Sequence, residues 1–301
     1  MANKKTILSL FAITISSISF AQLHWTRVDS AFGTVPSSVK VFRTDDTLNG
    51  RPFIAYYVDA LLKDRKLEFT TQSLYGIRMK PSAYYPLEKN PLLIVNGTFF
   101  NLQTNQNLNL IVQKKKLLSF NITSLKGPGA DSSSYYYITR SAIGINKKRK
   151  ADVAWTFTDS SMSWVYAFED SPVVAKGRSR VPTANKLGRF DWHKWRIVTA
   201  IGGGPTLIHN GKMMITNKEE QLQVGGENDR HPRTAMGYTS DGRLIILVIE
   251  GRNPGVAEGA TLIARDLLEC GPFGAHCPTR NSIPALPRSE LPQQSTQRSK
   301  S

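Results

Sequence analysis

Residues 233–252 read RTAMGYTSDGRLIILVIEGR. Two runs, Arg233–Thr239 and Leu244–Glu250, flank Ser240-Asp241-Gly242, and Asp-Gly tolerates the positive φ that a tight hairpin turn demands. Leu244–Ile249 is apolar throughout, which predicts a strand covered on both faces. Just upstream, Thr206–Ile208 and Lys212–Ile215 flank His209-Asn210-Gly211 in the same way. Further strands are predicted at Val39–Arg43, Phe53–Ala60, Lys66–Thr71, Leu92–Asn96, Tyr135–Ile145 and Arg196–Ile201. Ile111–Ser119 reads as two arms around Lys114–Lys116. Residues 121–134 and 177–190 read as loops. One helix is predicted, opening at Thr261, with an apolar face of Leu262, Ile263, Leu267 and Leu268 and a stop at Gly271. The pattern is α+β: a mixed, largely antiparallel sheet with few helices in a single domain.

The chain has 301 residues, enough for a substantial core. A hydrophobic content of 40% excludes a wholly disordered protein. Two Cys, at 270 and 277, exclude a disulfide-rich scaffold. The formal charge of +16 comes from 39 Lys+Arg against 23 Asp+Glu. Residues 1–21 carry +2 of it and residues 271–301 carry +3, which leaves +11 on the body. A basic surface either serves solubility or attracts anions, among them phosphate esters, acidic glycans and nucleic acid.

Residues 1–21 read as a signal peptide. Lys4 and Lys5 precede an apolar run from Ile7 to Phe20, and Ser19-Phe20-Ala21 is a small-x-small site that predicts cleavage after Ala21. The run is too short to span a bilayer comfortably, and no later stretch approaches the ~18 apolar residues a span needs. The expectation is a secreted or periplasmic protein. Residues 22–270 form the predicted domain. After Gly271 the text turns to Pro, Ser, Gln and Arg without periodicity, and residues 271–301 are predicted to be a disordered tail.

Four constellations can carry chemistry. Leu92–Asn101 reads LLIVNGTFFN, in which Asn96 and Asn101 offer amides to sugar hydroxyls, Phe100 an aromatic face, and Gly97 and Thr98 a close backbone approach; an ordinary strand and turn reads the same way. Ile201–Lys212 reads IGGGPTLIHNGK, in which Gly203, Gly204 and Pro205 make either an anion-facing loop or a tight bend. Asp229–Gly237 reads DRHPRTAMG. Arg233 opens a strand, where a guanidinium can grip phosphate, while Arg230 and His231 read equally as a solvated basic loop. Ile249–Arg252 reads IEGR, in which Glu250 is a strand-end carboxylate suited to acid–base work or to a salt bridge with Arg252. There is no Gly-x-Ser-x-Gly and no metal-spaced His/Glu cluster.

Taken in order, VNGTFFN, GGGPTLIHNGK, RHPRTAMGYTSDGRLIILVIEGR and GATLIARDLLECG resemble the phosphodiester glycosidase family, whose bacterial members are described as exopolysaccharide-biosynthesis-related. The resemblance covers about residues 90–270. It implies hydrolysis of a sugar-1-phosphodiester, with release of the sugar and a phosphomonoester. The implied partner is a sugar phosphodiester or phosphorylated glycan rather than nucleic acid, with no metal ligand among the matched positions. By motif, Asn96-Gly97, Gly203-Gly204-Pro205, Arg233-Thr234 and Gly251-Arg252 match the family. Thr98 stands where many members have glycine, and Glu250 where many have aspartate. The chemistry of the residues agrees with the resemblance: Arg233, with Arg230 or Arg252, fits neutralisation of the phosphate, Glu250 fits the anomeric side in part, because its usual aspartate partner is absent, His231 can transfer a proton or contact substrate, and Phe100 can stack on a sugar ring. The family's Asn-Leu-Asp-Gly-Gly-Gly-Ser-like motif has no counterpart after Gly271, where the text reads as a frameshifted tail; a true frameshift there removes an acidic residue and a sheet strand that activity needs. The rival expectation is a non-catalytic exported protein that binds acidic glycan or phosphosugar.

Overall fold

The computed structural model describes residues 23–74, 76–88, 91–158, 165–180, 192–222, 228–262 and, as backbone, 283–286. Every strand pairing among them is antiparallel. The one α-helix in the described residues is Pro81–Tyr84. The predicted helix lies outside them beyond Thr261 and Leu262, as do both cysteines.

Two sheets carry the fold. In the eight-stranded sheet, Thr26–Arg27, Val39–Thr44, Ala55–Leu61, Arg243–Ile249, Arg233–Tyr238, Ile283–Leu286, Thr206–His209 and Lys212–Met213 follow one another in space. In the seven-stranded sheet the order is Trp192–Lys194, Val165–Phe168, Ala151–Thr158, Arg140–Ile145, Thr199–Gly202, Ile111–Gln113 and Lys116–Ser119. Alternation along each strand divides the core. Ile143, Ile145 and Val153 of one sheet meet Met236 and Leu244 of the other. On the outer face of the eight-stranded sheet, Ala235, Ile245, Leu247 and Ile249 pack with Leu48, Phe53, Ala260 and Leu262. On the outer face of the seven-stranded sheet, Ala142 and Ala154 pack with Leu110, Trp195 and Ile197. Arg140–Ile145 is therefore buried along its whole length.

The hairpins form where turn chemistry predicts them. Asn210 and Gly211 (φ 49° and 74°) join His209 to Lys212. Lys114 and Lys115 (φ 47° and 68°) join Gln113 to Lys116. Other expectations differ from what is observed. Lys66–Thr71 forms no strand. The turn just before it is clamped by Arg149, whose guanidinium donates to the carbonyls of Leu62, Asp64 and Leu67. Leu92–Asn96 forms no strand either: Leu92 and Leu93 are 50% and 41% exposed, and only Val95 reaches the inter-sheet core. Within the predicted loop 121–134, Ser124–Lys126 pairs with Tyr135–Tyr137. Ala175–Gly177 adds a third strand to that pair, and residues 181–190 lie outside the described residues. Within the segment read as a disordered tail, Ile283–Leu286 forms a strand between Arg233–Tyr238 and Thr206–His209.

Candidate functional site

The first two constellations meet at the crossover between the sheets. Asn96 is half-buried. A side chain on Gly97 would place its Cβ 2.0 Å from Ile201 Cδ1, so the absence of a side chain lets this segment lie against the Thr199–Gly202 strand. The Thr98 hydroxyl bonds the Asn107 amide oxygen. Asn109, 1% exposed, accepts from the Phe99 amide at 3.0 Å. Asn101 closes its own turn, accepting from the amides of Gln103 and Thr104 at 2.8 and 3.0 Å. Phe100 is half-buried, with the Arg78 guanidinium 5.6 Å above its ring.

Gly202 to Pro205 are all buried. The Gly202 amide donates to Leu110 O at 2.7 Å and the Gly203 amide to Ser141 O at 2.9 Å. Those two N–H groups are spent inside the protein, so the anion-facing reading of the loop loses both; this is a bend that carries the chain from one sheet to the other, through a cis Gly204–Pro205 peptide. Behind the bend sits a residue the motifs do not reveal. Glu220 is fully buried, and its carboxylate accepts from the Ser141 amide (2.9 Å), the Thr206 amide (3.0 Å), the Thr216 hydroxyl (2.6 Å) and the Ser141 hydroxyl. A Cβ on Gly204, whose φ is +123°, would come within 2.6 Å of Glu220 Oε2. Arg140, 4% exposed, donates to the Glu220 carbonyl; burial lowers its pKa to about 10, with the Glu220 charge opposing that fall.

The other two constellations meet at one end of the 233–249 hairpin. Arg233 pairs in register with Ile249. Its Nε donates to Ala260 O at 3.2 Å and its Nη2 to Asp229 O at 3.1 Å. Burial lowers its pKa to about 10, with Asp229 opposing. His231 and Ala260 exchange backbone bonds of 3.2 and 3.0 Å, which fold residues 258–260 over this end. Gly251 and Gly259 allow the approach: a Cβ would lie 2.7 Å from Pro232 N at the first and 2.4 Å from His231 O at the second. Arg230 donates to Gly259 O at 2.7 Å and Leu48 O at 3.3 Å. Arg252 is exposed with φ 67°.

Directly paired residues share a face. Arg233 therefore shares the outer face with Ile249 and Ala260. Thr234, 2% exposed, pairs with Val248, which pairs with Tyr56, which pairs with Arg43; this row lies on the inter-sheet face. Glu250 follows Val248 by two residues and continues that face. Its amide donates to Ile54 O at 3.0 Å. Burial pushes its carboxyl pKa up, and Arg43 opposes the rise. Arg233 and Glu250 thus flank one strand end from opposite faces.

Register relates the two clusters. Thr206 pairs with Pro284 and Thr234 with Leu286, so the strands starting at Thr206 and Arg233 run the same way, one strand apart. Gly203–Pro205 and Arg233 stand at the same end of the sheet, roughly 10 Å from each other across two strand spacings. Among the described residues no three His, Cys, Asp or Glu gather to hold a metal, and no helix is long and apolar enough to cross a membrane.

A family model described as phosphodiester glycosidase matches residues 89–268, which include all four constellations. No curated protein matches the chain. Among solved structures, the fold is similar to a hypothetical protein from Synechocystis (TM-score 0.50, 13% identity), over 85% of this chain and 58% of that one. It is also similar to the zebrafish N-acetylglucosamine-1-phosphodiester α-N-acetylglucosaminidase catalytic domain auto-inhibited by its pro-peptide (TM-score 0.50, 16% identity), over 85% of this chain and 72% of that one. At these identities the likeness is one of fold.

Proposed function

The chain belongs to the phosphodiester glycosidase family, and from that premise we propose that it hydrolyses sugar-1-phosphodiesters, releasing the sugar and leaving a phosphomonoester. The observation that carries this reading is the Arg233 guanidinium. It is desolvated at a strand end and held by two carbonyls, and an anion bound there offsets the cost of its burial. The substrate lies beyond the strand end, where side chains from both faces reach one molecule. Its phosphate sits toward Arg233 and its sugar toward Glu250, with Asn96 and Thr234 on the sugar's side.

In the reaction, a water oxygen bonds to the anomeric carbon as the bond from that carbon to the phosphate oxygen breaks. The bonding pair leaves with the phosphomonoester, whose growing charge Arg233 neutralises. Glu250 takes the proton of the attacking water, and its raised pKa makes it a stronger base than an exposed carboxylate. A phosphomonoester leaves readily, so charge neutralisation outweighs general acid catalysis.

A nitrophenyl-phosphoryl sugar tests the reading in the full chain. Turnover is the expected result, with Arg233→Ala lowering kcat/KM by ~10²-fold or more. Near-normal activity in that variant overturns the role of Arg233. One observation favours a second reading, a non-catalytic binder of phosphosugar: the family's Asp-Gly-Gly-Gly-Ser-like motif has no counterpart in the sequence. Saturable binding without turnover assigns the chain to it. We also propose export through the signal sequence 1–21. N-terminal sequencing of secreted material that starts at Gln22 supports it, and retention of Met1 refutes it.

A further inference from the structure

Much of the positive charge of the described residues gathers at one pole, the end of the seven-stranded sheet farthest from the Gly203 bend. The Arg140–Ile145 strand starts beside that bend, and Ile145 lies roughly 17 Å further along it, at the usual rise per residue. Four segments meet beyond Ile145. The turn after the strand carries exposed Lys147, Lys148 and Lys150. The next hairpin carries exposed Lys114, Lys115 and Lys116, and it is tied in by the Lys115 amide, which donates to Val198 O at 2.7 Å; the Val198 amide in turn donates to Ile145 O at 2.8 Å. The segment leading to Val198 carries exposed Lys194 and Arg196. Lys63, Arg65 and Lys66 lie on the turn that Arg149 clamps through three carbonyls, with the Phe69 ring 5.3 Å beneath the guanidinium. The acids beside them are paired: Asp64 accepts from Ser38 and the Lys66 amide, Glu68 faces Lys114 at 3.7 Å, Glu169 faces His193 at 3.7 Å, and Asp152 accepts from the Trp195 indole at 2.7 Å.

This pole also has a concavity. A cavity of about 360 Å³ is lined by Asn146, Lys150, Asp152, His193, Lys194 and Arg196, together with Trp195 and Ile197. Its lining mixes cations with an amide, an imidazole and a carboxylate.

We infer that this pole is a binding surface for an acidic polysaccharide, separate from the strand-end site. Three observations choose that partner over other polyanions. The eleven exposed cations comprise nine Lys and two Arg, which attract anionic groups as hydrated point charges rather than as rigid two-point grips. The cavity offers acceptors as well as donors, so it suits hydroxyl groups interspersed with anionic ones. None of the large exposed hydrophobic residues lies in these turns, so there is no aromatic platform for bases and no apolar wedge for a lipid surface. The surface retains the polymer near the protein and needs no turnover at the strand end.

The test is titration of the full chain with a fluorescently labelled polymannuronate at several salt concentrations. A 20-base-pair DNA duplex and phosphatidylglycerol vesicles are run in parallel. Polymannuronate is expected to bind more tightly than either. Lys147→Glu/Lys148→Glu and Lys194→Glu/Arg196→Glu are each expected to weaken it about tenfold or more and to flatten its salt dependence. Lys126→Glu/Lys218→Glu removes the same charge elsewhere and is expected to change affinity by less than about twofold. All four reversals in the pole pairs are on exposed side chains, and an unchanged melting temperature verifies the fold. Equal weakening by all three variants overturns the inference, because binding then follows net charge alone. Tighter binding of the duplex or the vesicles overturns the choice of partner, and absence of polymannuronate binding overturns the site.

Discussion

Glu220 shows how much a single buried side chain can organise. Four donors, two of them backbone amides on different sheets, converge on its carboxylate. The bend at Gly204 is possible only because the glycine leaves that space to the carboxylate. Truncation strands buried donors, each costing about 1–3 kcal/mol when left unpaired. Glu220→Ala is therefore expected to destabilise the protein by about 3–5 kcal/mol in urea unfolding. Glu220→Gln, which keeps the shape and one acceptor, should lose less than half of that. Equal and small losses in both variants would mean that the carboxylate does not brace the bend. Nothing in Asn217-Lys218-Glu219-Glu220-Gln221 announces this role. The stretch has the composition of a solvated turn, and Glu219 is indeed exposed; only the tertiary convergence of Ser141, Thr206 and Thr216 separates the two neighbouring glutamates. The position of Arg233 was legible for the opposite reason: it opens the hairpin that local turn chemistry predicts, and the structure half-buries it at that strand start.

Among the elements, the hairpins were legible, as were the strands Val39–Thr44 and Ala55–Leu61, whereas two other predicted strands do not form. Asn210-Gly211 and Lys114-Lys115 put the turn chemistry and its strands within a few residues, so local sequence decides both. Lys66–Thr71 alternates as a strand does, yet a strand needs a ladder partner, and this segment finds its constraint in Arg149. Leu92–Asn96 has the apolar run of a buried strand but no edge to join, which leaves two leucines half in solvent. Conversely, Ala151–Thr158 and Val165–Phe168 were missed. Trp155, Phe157, Tyr166 and Phe168 belong to one aromatic cluster that exists only once the two strands pair. The Arg149 clamp gives a prediction of its own. Arg149→Lys keeps the charge but cannot reach three carbonyls at once, so it is expected to cost about 1–3 kcal/mol in urea unfolding. Arg149→Met is expected to cost at least as much. Full retention of stability by the lysine variant would assign the clamp to charge rather than geometry.

Across the whole molecule, the eight-stranded sheet closes through the segment that composition alone marks as structureless. Low apolar content argues that a segment cannot fold by itself; it does not decide whether a preformed gap between two strands accepts it. Ile283–Leu286 fills such a gap, pairing Thr206 and Ile208 on one side and Thr234 and Ala235 on the other. Pro284 is a poor residue for a central strand, and its side of the ladder shows the accommodation, a register shift between Thr206 and Ile208. Without this strand, Arg233–Tyr238 and Thr206–His209 each present an unpaired edge, and the strand starts that carry Arg233 and the Gly203 bend lose the element between them. A chain ended at Pro278 is therefore expected to melt at least 5 °C below the full chain, or to aggregate before melting, since for a protein of this size 1 kcal/mol moves the midpoint by about 2–4 °C. It is also expected to bind phosphosugar more weakly, because the strand that carries Arg233 loses its ladder partner on that side. If thermal unfolding and ligand affinity are the same for both lengths, residues 283–286 do not hold the sheet together, and the Arg233 cluster and the Gly203 bend must owe their alignment to the inter-sheet packing of Ile143 and Met236 instead.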